Sequence, residues 1–233
     1  MDRRLQVYYG GTFDPVHNAH LAIARGVRDA LQAGVRLVPA ADPPHRAPPG
    51  ASAGDRAAMV ALAIAGEPGL VLDRIELERA RAQPGRPSYT VDTLAALRRL
   101  HGTGQPLAWL IGGDSLAALS SWHRWQDLFD LAHLVVVARP GSPLPPDLPP
   151  ALQACVQGGG WTRDPAQLGV RPSGCLLPLA LPLQTGSATA VRRALACGLA
   201  VDGLVPPAVA AYISAHGLYR STPAERVDVP ASL

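Results

Sequence analysis

Short apolar runs alternate with amphipathic stretches along most of this chain. Leu5–Tyr9, Val35–Pro39, Val71–Leu77, Leu107–Ile111, Leu134–Ala138 and Leu176–Leu183 are strand-length, and several are apolar throughout. Between them, helical spacing of apolar positions predicts helices over Asn18–Ala33, Asp55–Ala65, Thr90–His101 and Trp122–Leu131. Two more helices are predicted near the end, over Ser187–Cys197 and Pro206–His216. Proline and glycine mark Asp42–Gly54 and Arg79–Pro87 as loops. Gly141–Gly174 reads as an irregular, loosely ordered insertion with room for one short helix, and Ser221–Leu233 as a loose tail. Strands that are continuously apolar and alternate with helices predict an α/β fold, a doubly wound parallel sheet covered on both faces. One domain is expected over residues 1–220, with a small helical part at about 187–220. Ligands of such sheets bind at the carboxyl ends of the strands.

Composition narrows the chemistry. The chain has 233 residues, 48% hydrophobic and 17% charged, which is ample for a folded core. Its formal net charge is only +3, and no basic run with interleaved aromatics appears, so no nucleic-acid partner is expected. There is no lysine, which excludes a Schiff-base or P-loop lysine mechanism. Three cysteines without a CxxC fit a reducing compartment, and no apolar run approaches the length of a membrane span. A cytoplasmic protein without membrane attachment is expected.

The chemistry-bearing residues fall just after predicted strands. Gly10 and Gly11 close the first strand, where the lack of Cβ atoms would let a ligand approach the backbone. Asn18 is a candidate N-cap of the first helix, with His17 just before it and His20 in its first turn. A helix N-terminus attracts phosphate and disfavours a cationic histidine, so His20 is expected to be neutral in the empty site. Zinc would need further ligands, and no cysteine lies near His17 and His20 in sequence, so no metal site of the protein's own is expected. Ser187 is a candidate N-cap of a late helix, with Thr189 and, one turn on, Arg192 beside it. Asp114, after Gly112-Gly113, suits either a ribose or metal-bound water, or the cap of the next helix. Trp122 and Trp125 suit ring stacking or the core equally. Taken singly, each motif is as well explained by ordinary turns, caps and packing.

Together they resemble one family. GGTFDPVHNAH (Gly10–His20), PPHR (Pro43–Arg46), PSYTVDTL (Pro87–Leu94), IGGDSL (Ile111–Leu116), SSW (Ser120–Trp122), ARPG (Ala138–Gly141), SATAVRR (Ser187–Arg193) and the ending Val205–Arg220 occur in order over nearly the whole chain. This set is similar to the bacterial nicotinate-nucleotide adenylyltransferases of the nucleotidylyltransferase superfamily. The resemblance implies a Rossmann-like fold and adenylyl transfer from ATP to nicotinate mononucleotide, with Mg²⁺ accompanying ATP. It implies catalytic roles for His17, His20 and Arg192. It also implies ATP contacts from Gly10, Gly11, Thr12, Phe13, Arg46, Gly112, Asp114, Arg139, Ser187 and Thr189. On the acceptor side it implies Tyr89, Thr90, Trp122 and His45, with no buried carboxylate to repel nicotinate. A monomer or homodimer is expected. Two positions depart from the family pattern: Ala19 stands where the superfamily has glycine, and Gly186 where an apolar residue usually precedes the SxT motif. The first bears on the spacing between backbone and phosphate, the second on the tightness of the turn. The rival readings are transfer to another phosphorylated acceptor, such as nicotinamide mononucleotide or phosphopantetheine, and a non-catalytic nucleotide sensor.

Overall fold

The computed structural model describes residues 4–41, 49–138, 150–155, 160–182 and 186–220. His45, Arg46, Arg139 and the expected tail 221–233 lie outside the described residues. Six strands form one parallel sheet: β1 (Gln6–Gly11), β2 (Val35–Pro39), β3 (Leu70–Leu72), β4 (Leu107–Gly112), β5 (His133–Val137) and β6 (Leu176–Leu179). Their order is β3-β2-β1-β4-β5-β6, so the chain winds outward in both directions from the β1/β4 pair. A crevice is expected where the strand order reverses, at the carboxyl ends of β1 and β4.

Alternation along the strands divides the core. Val7, Tyr9, Val35, Leu37, Leu110 and Val135 face one side and pack with α1 (Asn18–Leu31), α2 (Ala53–Ala63), α8 (Ala188–Ala196) and α9 (Pro207–Ala215). Tyr8, Trp109, Ile111, Leu134 and Val136 face the other and pack with α4 (Thr90–His101), α5 (Gly113–Ala117), α6 (Leu128–Leu131) and Leu152 of α7 (Pro150–Cys155). The doubly wound arrangement expected from the apolar strands is therefore present.

Several element boundaries differ from those expected. The apolar run Val71–Leu77 forms a strand only as β3, and Ile75–Ala82 is helix α3. Asp73 turns the chain there, its carboxylate accepting from the Ile75 N–H at 3.0 Å. The stretch Trp122–Leu131 is not one helix. Arg124 adopts a left-handed φ of 51°, which confines the helix to Leu128–Leu131 after a short 3-10 turn. The late strand stops at Leu179 rather than Leu183. The segment expected to be a loose insertion holds α7 and a 3-10 turn at Pro165–Gly169, with Leu152 and Leu168 buried. Among the described residues of this segment, those two leucines anchor it to the core.

The first helix is also capped differently. His17, with extended φ and ψ of −143° and 169°, is the N-cap, and Asn18 is the first helical residue. The Asn18 backbone N–H donates to the Leu204 carbonyl (2.9 Å) and its side-chain amide to the Gly203 carbonyl (2.8 Å), so Asn18 anchors α1 to the turn before α9. Ser187 does cap α8, accepting from the Ala190 N–H at 3.1 Å. Gly112, not Asp114, occupies the N-cap of α5.

Candidate active site

A cleft of about 780 Å³ opens at the β1/β4 carboxyl ends. Its lining includes Gly10, Gly11, Thr12, Phe13, His17 and His20 from the β1–α1 turn, and Gly112 and Asp114 from the end of β4. Ser187, Thr189 and Arg192 of α8 and Tyr89, Thr90 and Trp122 complete the set. Every sequence-assigned site residue that lies among the described residues is thus brought to one cleft. The N-termini of α1, α4 and α8 all border it, and each offers backbone N–H groups without helical partners.

The β1–α1 turn is held rigidly from below. Phe13 has a left-handed φ of 50°, a conformation that costs a bulky L-residue on the order of 1 kcal/mol or more. Its buried ring is wedged edge-on against Tyr9 (5.5 Å between centroids) and His20 (5.0 Å). His17 and His20 stack with centroids 3.7 Å apart. His20 Nδ1 accepts from the His17 backbone N–H at 3.3 Å, which wires His20 as the neutral tautomer protonated on Nε2. The buried Arg56 donates to the carbonyls of Thr12 (2.6 Å), Ala41 (3.1 Å) and Ala51 (3.2 Å), tying this turn to the chain after β2 and to the start of α2.

The two glycines are also required by packing within the protein. A Cβ on Gly10 would lie 2.1 Å from a ring carbon of Trp109, and one on Gly11 2.9 Å from the Phe13 ring. The space freed by the missing side chains is filled by the protein's own aromatic rings. Trp109, in the middle of β4, forms the cleft floor through this contact.

Ala19 and Gly186, the two departures from the family pattern, meet in the fold. A Cβ placed on Gly186 would lie 3.1 Å from the Ala19 Cβ, tighter than ordinary van der Waals contact. The methyl group gained on α1 occupies space that a side chain at position 186 would need. The departures are one exchange of volume between the two helix entries that flank the cleft.

On the donor side, Arg192 is oriented by Asp14. Its Nη1 donates to the Asp14 carbonyl at 2.6 Å and lies 3.6 Å from the Asp14 carboxylate, and its Nη2 lies 3.4 Å from the Thr189 hydroxyl. On the acceptor side, the Tyr89 ring stacks on His123 at 4.3 Å. Trp122, in extended conformation, lines the cleft while packing on the core, whereas Trp125 packs on the core alone.

A buried carboxylate also lines the cleft, contrary to the expectation that none would. Glu76 accepts from the hydroxyls of Ser88 (2.8 Å) and Thr93 (2.9 Å), and Arg79 donates to both of those hydroxyls. Burial pushes the Glu76 carboxyl up, against those two hydrogen bonds and the Arg79 charge, which pull it down. Glu76 escaped sequence reading because Val71–Leu77 read as a strand. Asp14 and Tyr219 escaped it because a carboxylate in a turn and a tyrosine after a terminal helix carry no periodic signal. Among the described residues, no group of three or more His, Cys, Asp or Glu side chains converges as a metal site, and no helix is long and apolar enough to cross a membrane.

Comparison with known proteins fits this geometry. The profile of the cytidylyltransferase-like family matches residues 8–194. The chain is 56% identical over 217 residues to the probable nicotinate-nucleotide adenylyltransferase of Stenotrophomonas maltophilia, covering 93% of this chain and 97% of the relative. It is 53% identical over 215 residues to the protein of the same name from Laribacter hongkongensis, covering 91% and 93%. Among solved structures, the nicotinic acid mononucleotide adenylyltransferase of Plasmodium falciparum, complexed with NaAD, superposes with a TM-score of 0.69 at 15% identity, covering 93% of this chain and 97% of that one. At that identity the likeness speaks for the fold alone. By the extent of the profile match and by its identity to these relatives, the chain belongs to the cytidylyltransferase-like family and, within it, to the nicotinate-nucleotide adenylyltransferases.

Proposed function

We propose that this chain transfers the adenylyl group of ATP to nicotinate mononucleotide, giving nicotinate adenine dinucleotide and pyrophosphate in NAD biosynthesis. The observation that carries this reading is the convergence of the α1 and α8 N-termini, with His17, His20, Ser187, Thr189 and Arg192, on one cleft at the β1/β4 switch point.

The mononucleotide phosphate attacks the α-phosphorus of ATP in line. A phosphorus–oxygen bond forms as the bond to the β-phosphate breaks, and pyrophosphate leaves. A phosphate monoester has a second pKa of about 6, so the attacking oxygen is already anionic near neutral pH. The protein needs neither a nucleophile nor a general base, and catalysis rests on positioning and charge stabilisation. In this reading the Nε2–H of His20 donates to the α-phosphate, His17 contacts the triphosphate, and Arg192 holds its oxygens. Ser187 and Thr189 line the β/γ end, and backbone N–H groups of Gly11–Phe13 cradle the phosphates beside Gly10 and Thr12. The family resemblance assigns ATP contacts to Arg46 and Arg139 as well. Asp114, exposed at the end of β4 beside Gly112, serves the ribose or a metal-bound water. The Asp14 carboxylate already accepts three hydrogen bonds, so Mg²⁺ would be held by ATP and its own waters with at most Asp114 assisting. When bound, the ion neutralises charge across the phosphate oxygens.

On the acceptor side, the α4 N-terminus at Tyr89-Thr90 offers N–H donors to the nicotinate carboxylate, Trp122 lies against the ring, and the family resemblance adds His45 as a mononucleotide contact. We read residues 1–220 as one unit, because Val191, Val201, Val209 and Ile213 of the C-terminal part share a core with β1. A monomer or homodimer working in the cytoplasm belongs to the same reading. Glu76 favours a second reading, in which nicotinamide mononucleotide, with its neutral carboxamide, is the acceptor, since a carboxylate there repels an anionic ring substituent. Arg79 offsets that charge and tips the balance toward nicotinate.

Coupled pyrophosphate release with each mononucleotide tests the assignment. We expect kcat/KM for the nicotinate form to exceed that for the nicotinamide form by at least about tenfold. The folded His20→Ala variant should lose about 10²–10³ in kcat. A reversed ratio transfers the assignment to nicotinamide, and ATP binding without pyrophosphate release from either form favours a sensor.

A further inference from the structure

The Asp14 carboxylate is buried, yet it borders a cleft built for anions. Its Oδ2 accepts from the Gly50 N–H at 2.8 Å, and its Oδ1 from the Ala51 N–H at 3.1 Å and the Tyr219 hydroxyl at 2.8 Å. Tyr219 follows α9, 205 residues along the chain from Asp14. It is held tightly: its φ is 61°, in the left-handed region, and its ring lies 3.1 Å from where a Gly50 Cβ would be. A tyrosine keeps such a backbone only where its surroundings over-determine it. Burial, and then the hydrogen bond to Asp14, raise the Tyr219 phenol well above its ordinary range, so it stays an O–H donor.

We propose that Tyr219 is a positioning residue for the phosphate site: its hydroxyl satisfies the Asp14 carboxylate, and Asp14 in turn aims Arg192 into the cleft. The Asp14 carbonyl already orients the guanidinium through the 2.6 Å bond to Nη1. The carboxylate already pairs with Arg192 at a long 3.6 Å from Nη1, a contact loose enough to leave the guanidinium room to reach phosphate. Three donors from Gly50, Ala51 and Tyr219 spread the carboxylate charge. With the hydroxyl gone, the nearest compensating charge for a buried carboxylate is Arg192, and the long ion pair tightens into one that competes with ATP. The side chain of Arg192 is 36% exposed and that of Asp14 7%, so the arginine is the partner that moves. The inference rests on the reading of Arg192 as a phosphate ligand.

The test is Tyr219→Phe, which removes one oxygen and keeps the ring. We expect KM for ATP to rise on the order of five- to tenfold, the scale of a hydrogen bond to a charged group, with KM for the mononucleotide unchanged within about twofold. In an Arg192→Ala background the same substitution should add less than about a twofold effect, because the residue it acts through is gone. Calorimetry with inorganic triphosphate should give the same loss in affinity without any acceptor. Equal shifts in both KM values, full additivity with Arg192→Ala, or unchanged triphosphate affinity would each overturn the proposal. Wild-type protein that binds triphosphate but releases no pyrophosphate with either mononucleotide sinks the adenylyl-transfer reading and leaves the latch to be judged by calorimetry. Wild-type protein that does not bind triphosphate sinks both.

Discussion

At the residue scale, the site is defined by volume exchanges and buried contacts between residues far apart in sequence. Ala19 and Gly186 are the clearest pair. Read along the chain, each weakens the match to the family, while in space they adjoin, a Cβ on residue 186 falling 3.1 Å from that of Ala19. Gly186→Val should overpack this contact and cost about 1–3 kcal/mol in urea denaturation. Adding Ala19→Gly should recover at least half of that loss, since residues in contact are not additive. Two fully additive effects would show that the positions are unconnected. Gly10 teaches the same lesson in reverse. Its place at the end of a strand was legible, but the ring that requires it, Trp109, comes from a strand paired beside it in space and distant in sequence.

At the element scale, helix entries border the cleft, and their caps decide which atoms face it. With His17 as the α1 cap and His20 in its first turn, the two imidazoles stack at the cleft. Away from the cleft, Ser52 caps α2 by accepting from the Asp55 N–H, and its hydroxyl donates to the Asp55 carboxylate at 2.6 Å. The Tyr212 hydroxyl of α9 donates to the same carboxylate at 3.0 Å, so Asp55 joins two helices. The Ser52 bond, ahead of the Tyr212 bond, holds the Asp55 carboxyl below its ordinary 3.8. A depressed folded-state value contributes stability above the unfolded value and loses it as pH falls through the folded one. Asp55→Asn should therefore lower stability at pH 7 by about 1 kcal/mol or less, and the gap between variant and wild type should narrow as pH drops below 3.8. Chemical denaturation at several pH values measures it, and a gap that widens in acid would contradict the assignment.

At the scale of the whole molecule, the sheet order sets both where the cleft lies and how the protein responds to acid. β1 and β4 diverge into helices on opposite faces, so their carboxyl ends leave an unfilled crevice lined by residues of both. At the other end of the sheet, His133 starts β5 fully buried. Its Nδ1 accepts from the Cys175 N–H at 3.0 Å, and its Nε2 lies 3.0 Å from the Arg171 carbonyl, so the neutral ring with a proton on Nε2 satisfies both neighbours. Burial, above all, pulls the His133 value below 6.5, and His101 shifts the same way. A histidine whose folded value is depressed contributes stability above pH 6.5 that is lost as pH falls toward the folded value, because the unfolded chain takes the proton first. The urea midpoint should fall between pH 7 and pH 5, and a His133→Gln variant should show a shallower fall over that range. Equal slopes for both proteins would remove His133 from the account.

What the sequence determined by itself was periodic or local. Continuously apolar strands separated by helices demanded a parallel sheet covered on both faces, and motifs placed just after those strands demanded a common ligand site. Ser187 as a helix cap and the Thr189–Arg192 pair, one turn apart, followed from short-range geometry alone. The tertiary structure decided whatever depends on residues distant in sequence coming together. The Asp73 turn and the left-handed Arg124 overrode apolar patterns that read as a longer strand and a longer helix. The Glu76 network, the Trp109 ring beneath Gly10 and the Tyr219–Asp14–Arg192 chain join residues whose sequence neighbours carry no trace of the contact. The physical reason is that hydrophobic period and capping act over one helical turn or one strand, whereas the packing of a cleft floor and the satisfaction of a buried charge are settled only when the sheet has closed.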